Sequence, residues 1–152
     1  MMNTWKLIAG ACLSLGLVAA SSAADKGTKE EAVALVHKAI AFYKANGKEK
    51  TFAEVSNKTG QFVDRDMYVY VLDTKGVMMA HGANEKLIGK DLTNLKDADG
   101  KLFAQELIGL AKAKKSGWVD YKWPHPVTKQ IESKTTYLEP HDGYGFAVGV
   151  YK

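Results

Sequence analysis

The stretch DMYVYVLDTKGVMMAHG, residues 66–82, commits the chain to an antiparallel sheet. Tyr68, Val69, Tyr70, Val71 and Leu72 form an unbroken run of strand formers. Asp73-Thr74-Lys75-Gly76 follows as a hairpin turn with glycine at its left-handed position, and residues 77–81 read as the return strand.

Helical period surrounds this hairpin. Thr28-Lys29-Glu30-Glu31 is a capping box, with the threonine hydroxyl accepting from a first-turn amide while Glu31 reaches back. Behind it Val33, Val36, Ile40 and Tyr43, flanked by Leu35 and Phe42, recur at helical spacing until Asn46-Gly47 stops them. This spacing predicts a helix over 28–45. Thr51-Phe52-Ala53-Glu54 repeats the capping pattern and opens a shorter helix ending near Lys58. Residues 82–100 are rich in turn formers and read as a long ordered loop. Residues 102–115 return to helical period, with Leu102, Phe103, Leu107, Leu110 and Ala111 on one side.

Three more strands are predicted at 118–123, 132–138 and 145–151, with EPHDGYG as the last turn. Pro124 and Pro126 end the first of them, because proline offers no amide hydrogen. The fold class is therefore α+β: a PAS-like antiparallel sheet of about five strands, with a long N-terminal helix packed on it and the helices gathered to one face. No repeat or linker divides the chain.

Residues 1–24 are of a different kind. Lys6 precedes an apolar run over 7–20, and Ser22-Ala23-Ala24 supplies the small side chains a signal peptidase reads. The run is shorter than the roughly 20 residues a bilayer requires. The reading is a signal peptide cleaved after Ala24 and a periplasmic domain over 25–152. The sole cysteine, Cys12, lies in that leader, so the domain has no disulfide, no thiolate metal site and no thiol chemistry. The formal charge is +4. It comes almost wholly from lysines spread along the chain, with Arg65 the only arginine. This dispersal argues against nucleic acid as a partner.

In order and spacing, several segments resemble the single Cache domain, the extracellular sensor module of chemoreceptors and sensor kinases. They are Tyr68 to Asp73 with Gly76, Ala80-His81, Ile88-Gly89-Lys90-Asp91, Lys96-Asp97 with Gly100-Lys101, Gly117 to Tyr121 with Trp123 and Pro124, Lys134 with Tyr137, and Gly149-Val150-Tyr151. The resemblance implies a PAS-like sheet, a long helix packed on it and a pocket for a short carboxylate such as acetate, propionate or pyruvate. The family also allows a homodimer through the long helix, and the partner expected for such a module is a membrane receptor or transporter. Such domains usually stand between two membrane helices; here only Lys152 follows Tyr151, which reads as a free-standing exported form.

Holding a carboxylate requires charged or neutral donors inside an apolar cavity. In GWVDYKWPHP, residues 117–126, side chains of one strand alternate between faces. Val119, Tyr121 and Trp123 share one face, so a phenol and an indole can line a wall together. The resemblance points to Lys134 as the cation, with Tyr137 three residues on, and to His81 as a contact. Arg65 offers a planar fork suited to a carboxylate, although Asp64 and Asp66 could occupy it as a surface pair. Tyr68 and Tyr70 share a strand face, which serves core packing or pocket lining. No cofactor or metal is expected. His37, His81, His125 and His141 are scattered. Asp97-Ala98-Asp99-Gly100 lacks the acidic residue that would close a calcium loop, and no serine stands in a nucleophile elbow. The chain thus reads as a binding module rather than an enzyme. The rival reading is a protein–protein interaction module whose interior is filled by its own aromatic side chains.

Overall fold

The computed structural model describes residues 25–152; the predicted leader with its Cys12 lies outside the described residues. Helix α1 spans Lys29–Asn46. Thr28 Oγ1 accepts from the Glu31 amide at 3.2 Å and Glu31 Oε2 accepts from the Thr28 amide at 2.8 Å, which closes the capping box. Gly47, with φ at 82°, ends α1 and also opens α2, Lys48–Val55. Thr51 therefore lies inside α2 instead of capping it, and its hydroxyl donates to the Gly47 carbonyl at 2.7 Å.

Six strands make the sheet: β1 Val63–Asp64, β2 Met67–Asp73, β3 Met78–His81, β4 Gly117–Pro124, β5 Ile131–His141 and β6 Tyr144–Tyr151. Helix α3, Phe103–Lys112, follows a long connection containing a 3-10 turn at Glu85–Leu87. The order is β1-β2-β6-β5-β4, with β3 also paired to β2 and every pairing antiparallel. The sixth strand beyond the expected five is β1, two residues long. It turns into β2 at Arg65, whose φ is 57°. The β5–β6 hairpin closes on Asp142-Gly143, with φ of 51° and 79°, the two positive values a tight hairpin requires.

The helices do not gather to one face. Val69, Val71, Phe146, Val148 and Val150 pack against Val36, Ala39 and Ile40 of α1 and Val55 of α2. Tyr70, Leu72, Leu138 and Ala147 pack on the opposite side against Phe103, Leu107 and Ile108 of α3. Successive residues of β2 and β6 are apolar on both parities, so both faces demand a cover. A strap then ties the α3 side to the edge strand β4. Asp97 Oδ1 accepts from the amides of Asp99 and Lys101, each at 2.9 Å, and its Oδ2 accepts from the Lys122 amide at 2.9 Å. Those bonds blunt an otherwise open sheet edge. Among the described residues, no helix is long and apolar enough to cross a membrane.

Candidate functional site

Register puts one set of side chains on the α3 face of the sheet. Tyr121 stands opposite Lys134, Lys134 opposite Tyr151, Thr136 opposite Gly149, and Tyr70 opposite both His81 and Ala147. These residues and their same-parity neighbours surround a hollow. It is lined by Tyr68, Tyr70, His81, Tyr121, Trp123 and Lys134 from the sheet and closed by Leu87, Leu92, Phe103 and Leu107. Phe103 stacks on Tyr121 with ring centres 4.2 Å apart and meets Trp123 edge-on at 5.2 Å. The free volume is about 10 Å³, room for about one water molecule.

Lys134 is the anomaly in this apolar setting. Its side chain is 1% exposed, and Nζ donates to Tyr68 Oη at 2.7 Å. No ion pair joins it to a carboxylate among the described residues. Nζ lies 4.3 Å from the ring centre of Tyr68 and 5.1 Å from that of Tyr151, so aromatic faces partly replace its hydration. Burial nevertheless pushes the ammonium down to about 7, against a smaller opposing pull from the Asp66 charge. Gly149 makes the placement possible: a Cβ there would collide with Lys134 Cε and with Thr136 Oγ1.

The other polar groups are neutral. Tyr121 Oη shares hydrogen bonds with Tyr70 Oη at 3.1 Å and Thr136 Oγ1 at 3.0 Å. Burial raises all three phenols, Tyr68, Tyr70 and Tyr121. His81 Nδ1 accepts from the amides of Ala83 at 3.0 Å and Asn84 at 2.8 Å. That leaves the proton on Nε2 as a donor. Burial, with the Lys134 charge added, pushes this imidazole down to about 3, so it stays uncharged near neutrality. The site thus offers one cation, an N–H donor and hydroxyls around an apolar centre. Among the described residues, no cluster of three metal-ligating side chains exists.

Six of the eight residues singled out from sequence meet at this hollow. Tyr137 does not: three positions from Lys134 on a regular strand, it points to the α1 face, where Oη donates to Glu139 Oε2 at 2.8 Å. Arg65 is also elsewhere, bonded to Glu31 Oε1 at 2.7 Å and Asp64 Oδ2 at 3.1 Å, which holds its guanidinium strongly charged. Thr136 and Tyr151 join the site by parity with Lys134 and Tyr121. Leu87, Leu92 and Leu107 join it through the connection and α3, where only the helical apolar stripe hinted at a role.

Comparison with known proteins agrees with this architecture. The methyl-accepting chemotaxis protein McpP of Pseudomonas putida is 34% identical over 86 residues; the match takes in 57% of this chain and 16% of that receptor. A crystal structure of a methyl-accepting chemotaxis protein from Vibrio parahaemolyticus superposes with a TM-score of 0.68 at 26% identity, covering 81% of this chain and 87% of the other. A Cache chemosensory domain, solved to explain its recognition of carboxylic acids, superposes with a TM-score of 0.65 at 27% identity over 80% of this chain and 91% of its own. The model of the single Cache domain 2 family matches residues 6–151. With that match added to the sheet order and the two-sided core, the chain belongs to the single Cache domain 2 family.

Proposed function

We propose that this chain is a periplasmic sensing module that captures a small organic carboxylate, with acetate, propionate and pyruvate as the leading candidates, and does not turn it over. One observation carries this reading: Lys134 is a buried amine that donates a hydrogen bond to the Tyr68 phenol and has no carboxylate paired to it among the described residues, beside an apolar hollow. A carboxylate entering the hollow would complete an ion pair that the protein alone leaves open, and would take hydrogen bonds from neutral donors such as His81 Nε2–H. Carboxylic acid recognition by a Cache chemosensory domain at 27% identity supports the same chemistry.

The hollow is narrow, so binding requires α3 and the strap over residues 82–101 to move outward and settle on the ligand. A ligand that favours one arrangement shifts the population toward it. The altered outer surface is then what a membrane receptor or transporter would read. The predicted signal peptide over 1–24 accounts for delivery to the periplasm. The small free volume also favours a second reading, an interaction module whose interior is filled by its own rings. A thermal-shift screen with short carboxylates, amino acids and purines separates the two. Saturable stabilisation by a carboxylate, lost in Lys134→Ala, supports the sensor; no saturable shift with any ligand supports the filled module.

A further inference from the structure

A lysine that binds anions works best with its charge permanently on, as it is in water. Lys134 is placed otherwise. Its Nζ is enclosed by phenol rings and held by one neutral hydroxyl, on a residue that lines the hollow, with no carboxylate of the described residues paired to it. Close approach of Gly149 fixes the aliphatic stem, so the nitrogen is presented in one direction. Resting on the carboxylate reading above, we propose that Lys134 captures short 2-oxo acids covalently and reversibly, as an imine between Nζ and the ketone carbon.

The reaction balances without an oxidant or reductant. The neutral amine adds its lone pair to the carbonyl carbon as the C–O π bond breaks, giving a carbinolamine. One proton passes from nitrogen to oxygen to complete the carbinolamine; nitrogen then gives up its one remaining proton as the C–O bond breaks and the hydroxyl departs as water, leaving C=N. Tyr68 Oη, 2.7 Å from Nζ, holds the nitrogen in line and is placed to pass protons between nitrogen and departing oxygen. The ligand carboxylate is left for the neutral donors, His81 Nε2–H and the Tyr70–Tyr121 hydroxyl pair. Walls of Leu87, Leu92 and Phe103 keep water away from the imine. Near neutral pH a substantial share of the amine is unprotonated, because burial has brought it down to about 7. A ligand without a ketone, such as acetate, can make only the ion pair.

The test is reductive trapping of the whole protein with sodium pyruvate and sodium cyanoborohydride, read by intact mass and peptide mapping. The expected result is one reduced pyruvyl group at Lys134, more at pH 8 than at pH 6, and suppression to background by excess acetate. Lys134→Arg keeps a cation but has no primary amine there, so its labelling should vanish. Acetate protection in the unaltered protein gives the same information should that variant fail to fold. If acetate stabilises the protein saturably while Lys134 stays unlabelled, or if labelling spreads over the exposed lysines, covalent capture is wrong and the sensor reading survives. If acetate and pyruvate both fail to stabilise and Lys134 stays unlabelled, both readings fall.

Discussion

Lys134 Nζ and Tyr68 Oη sit 2.7 Å apart on the α3 face of the sheet, an ammonium against a phenol where folding alone would favour a carboxylate or a methyl group. Burial without a counter-ion is costly to the fold. Lys134→Met keeps an unbranched side chain, one atom shorter, and removes the charge. The ligand-free protein should gain about 1–4 kcal/mol in urea unfolding, while stabilisation by acetate or propionate disappears. A destabilised variant would mean that the amine is part of the fold's support rather than held for a ligand.

Gly149→Ala tests the packing that presents the amine. Its methyl group would enter the space of Lys134 Cε in a sheet that is buried at this point. The variant should lose about 1–3 kcal/mol and bind carboxylate more weakly, since the lysine must shift or the strands must part. Equal stability and equal affinity, by urea unfolding and calorimetry, would show that the close approach is unimportant.

The pH dependence has a definite sign. In the fold Lys134 titrates at about 7, below its ordinary 10.5, so the unfolded chain binds more protons between those values. Stability attributable to this residue is therefore lowest and flat below pH 7, and it rises with pH from 7 toward 10.5. Carboxylate affinity runs the opposite way. It should be level from pH 6 to 7 and then weaken by up to about tenfold per pH unit, because the free protein loses the proton that the ion pair needs. Titration calorimetry from pH 6 to 9 measures this, with Lys134→Met as the flat control for stability.

Tyr121 links two other hydroxyl-bearing residues, Tyr70 and Thr136. Tyr121→Phe leaves both partners short of a hydrogen bond in a buried setting and should cost about 1–3 kcal/mol. The stacked contact with Phe103 does not need the hydroxyl, so the fold should survive, as near-ultraviolet circular dichroism would report. A cost near zero would mean that the hydroxyls find other partners.

Local signals in the sequence were legible where the chemistry is local. The Thr28–Glu31 capping box and the Asp73–Gly76 turn stand as the residue types demand. Thr51 misled because its hydroxyl, instead of accepting from a first-turn amide, donates to the Gly47 carbonyl from inside the helix, and composition cannot distinguish that from a cap. The two-residue strand β1 is too short to have a period. The two-sided core, by contrast, was written in β2, where residues of both parities are apolar, a pattern that a sheet with one wet face would not carry.

At the site, alternation placed Tyr121 and Trp123 side by side, and the same rule separates Lys134 from Tyr137, which are an odd number of positions apart. Arg65 failed for a different reason. Its neighbour Asp64 occupies it, as the sequence allowed, and a second partner, Glu31 on α1, is distant in sequence and brought to it only by the fold. Leu87 and Leu92 come from a connection with no regular period, so no pattern in the sequence could assign them to the hollow.

For a carboxylate to pair with Lys134, the hollow must open to admit it. A crystal structure of the protein grown with acetate should show carboxylate density within hydrogen-bond distance of Lys134 Nζ, with α3 or the strap displaced to make room. A hollow still closed around its own rings, with Lys134 bonded only to Tyr68, would mean that no carboxylate binds there.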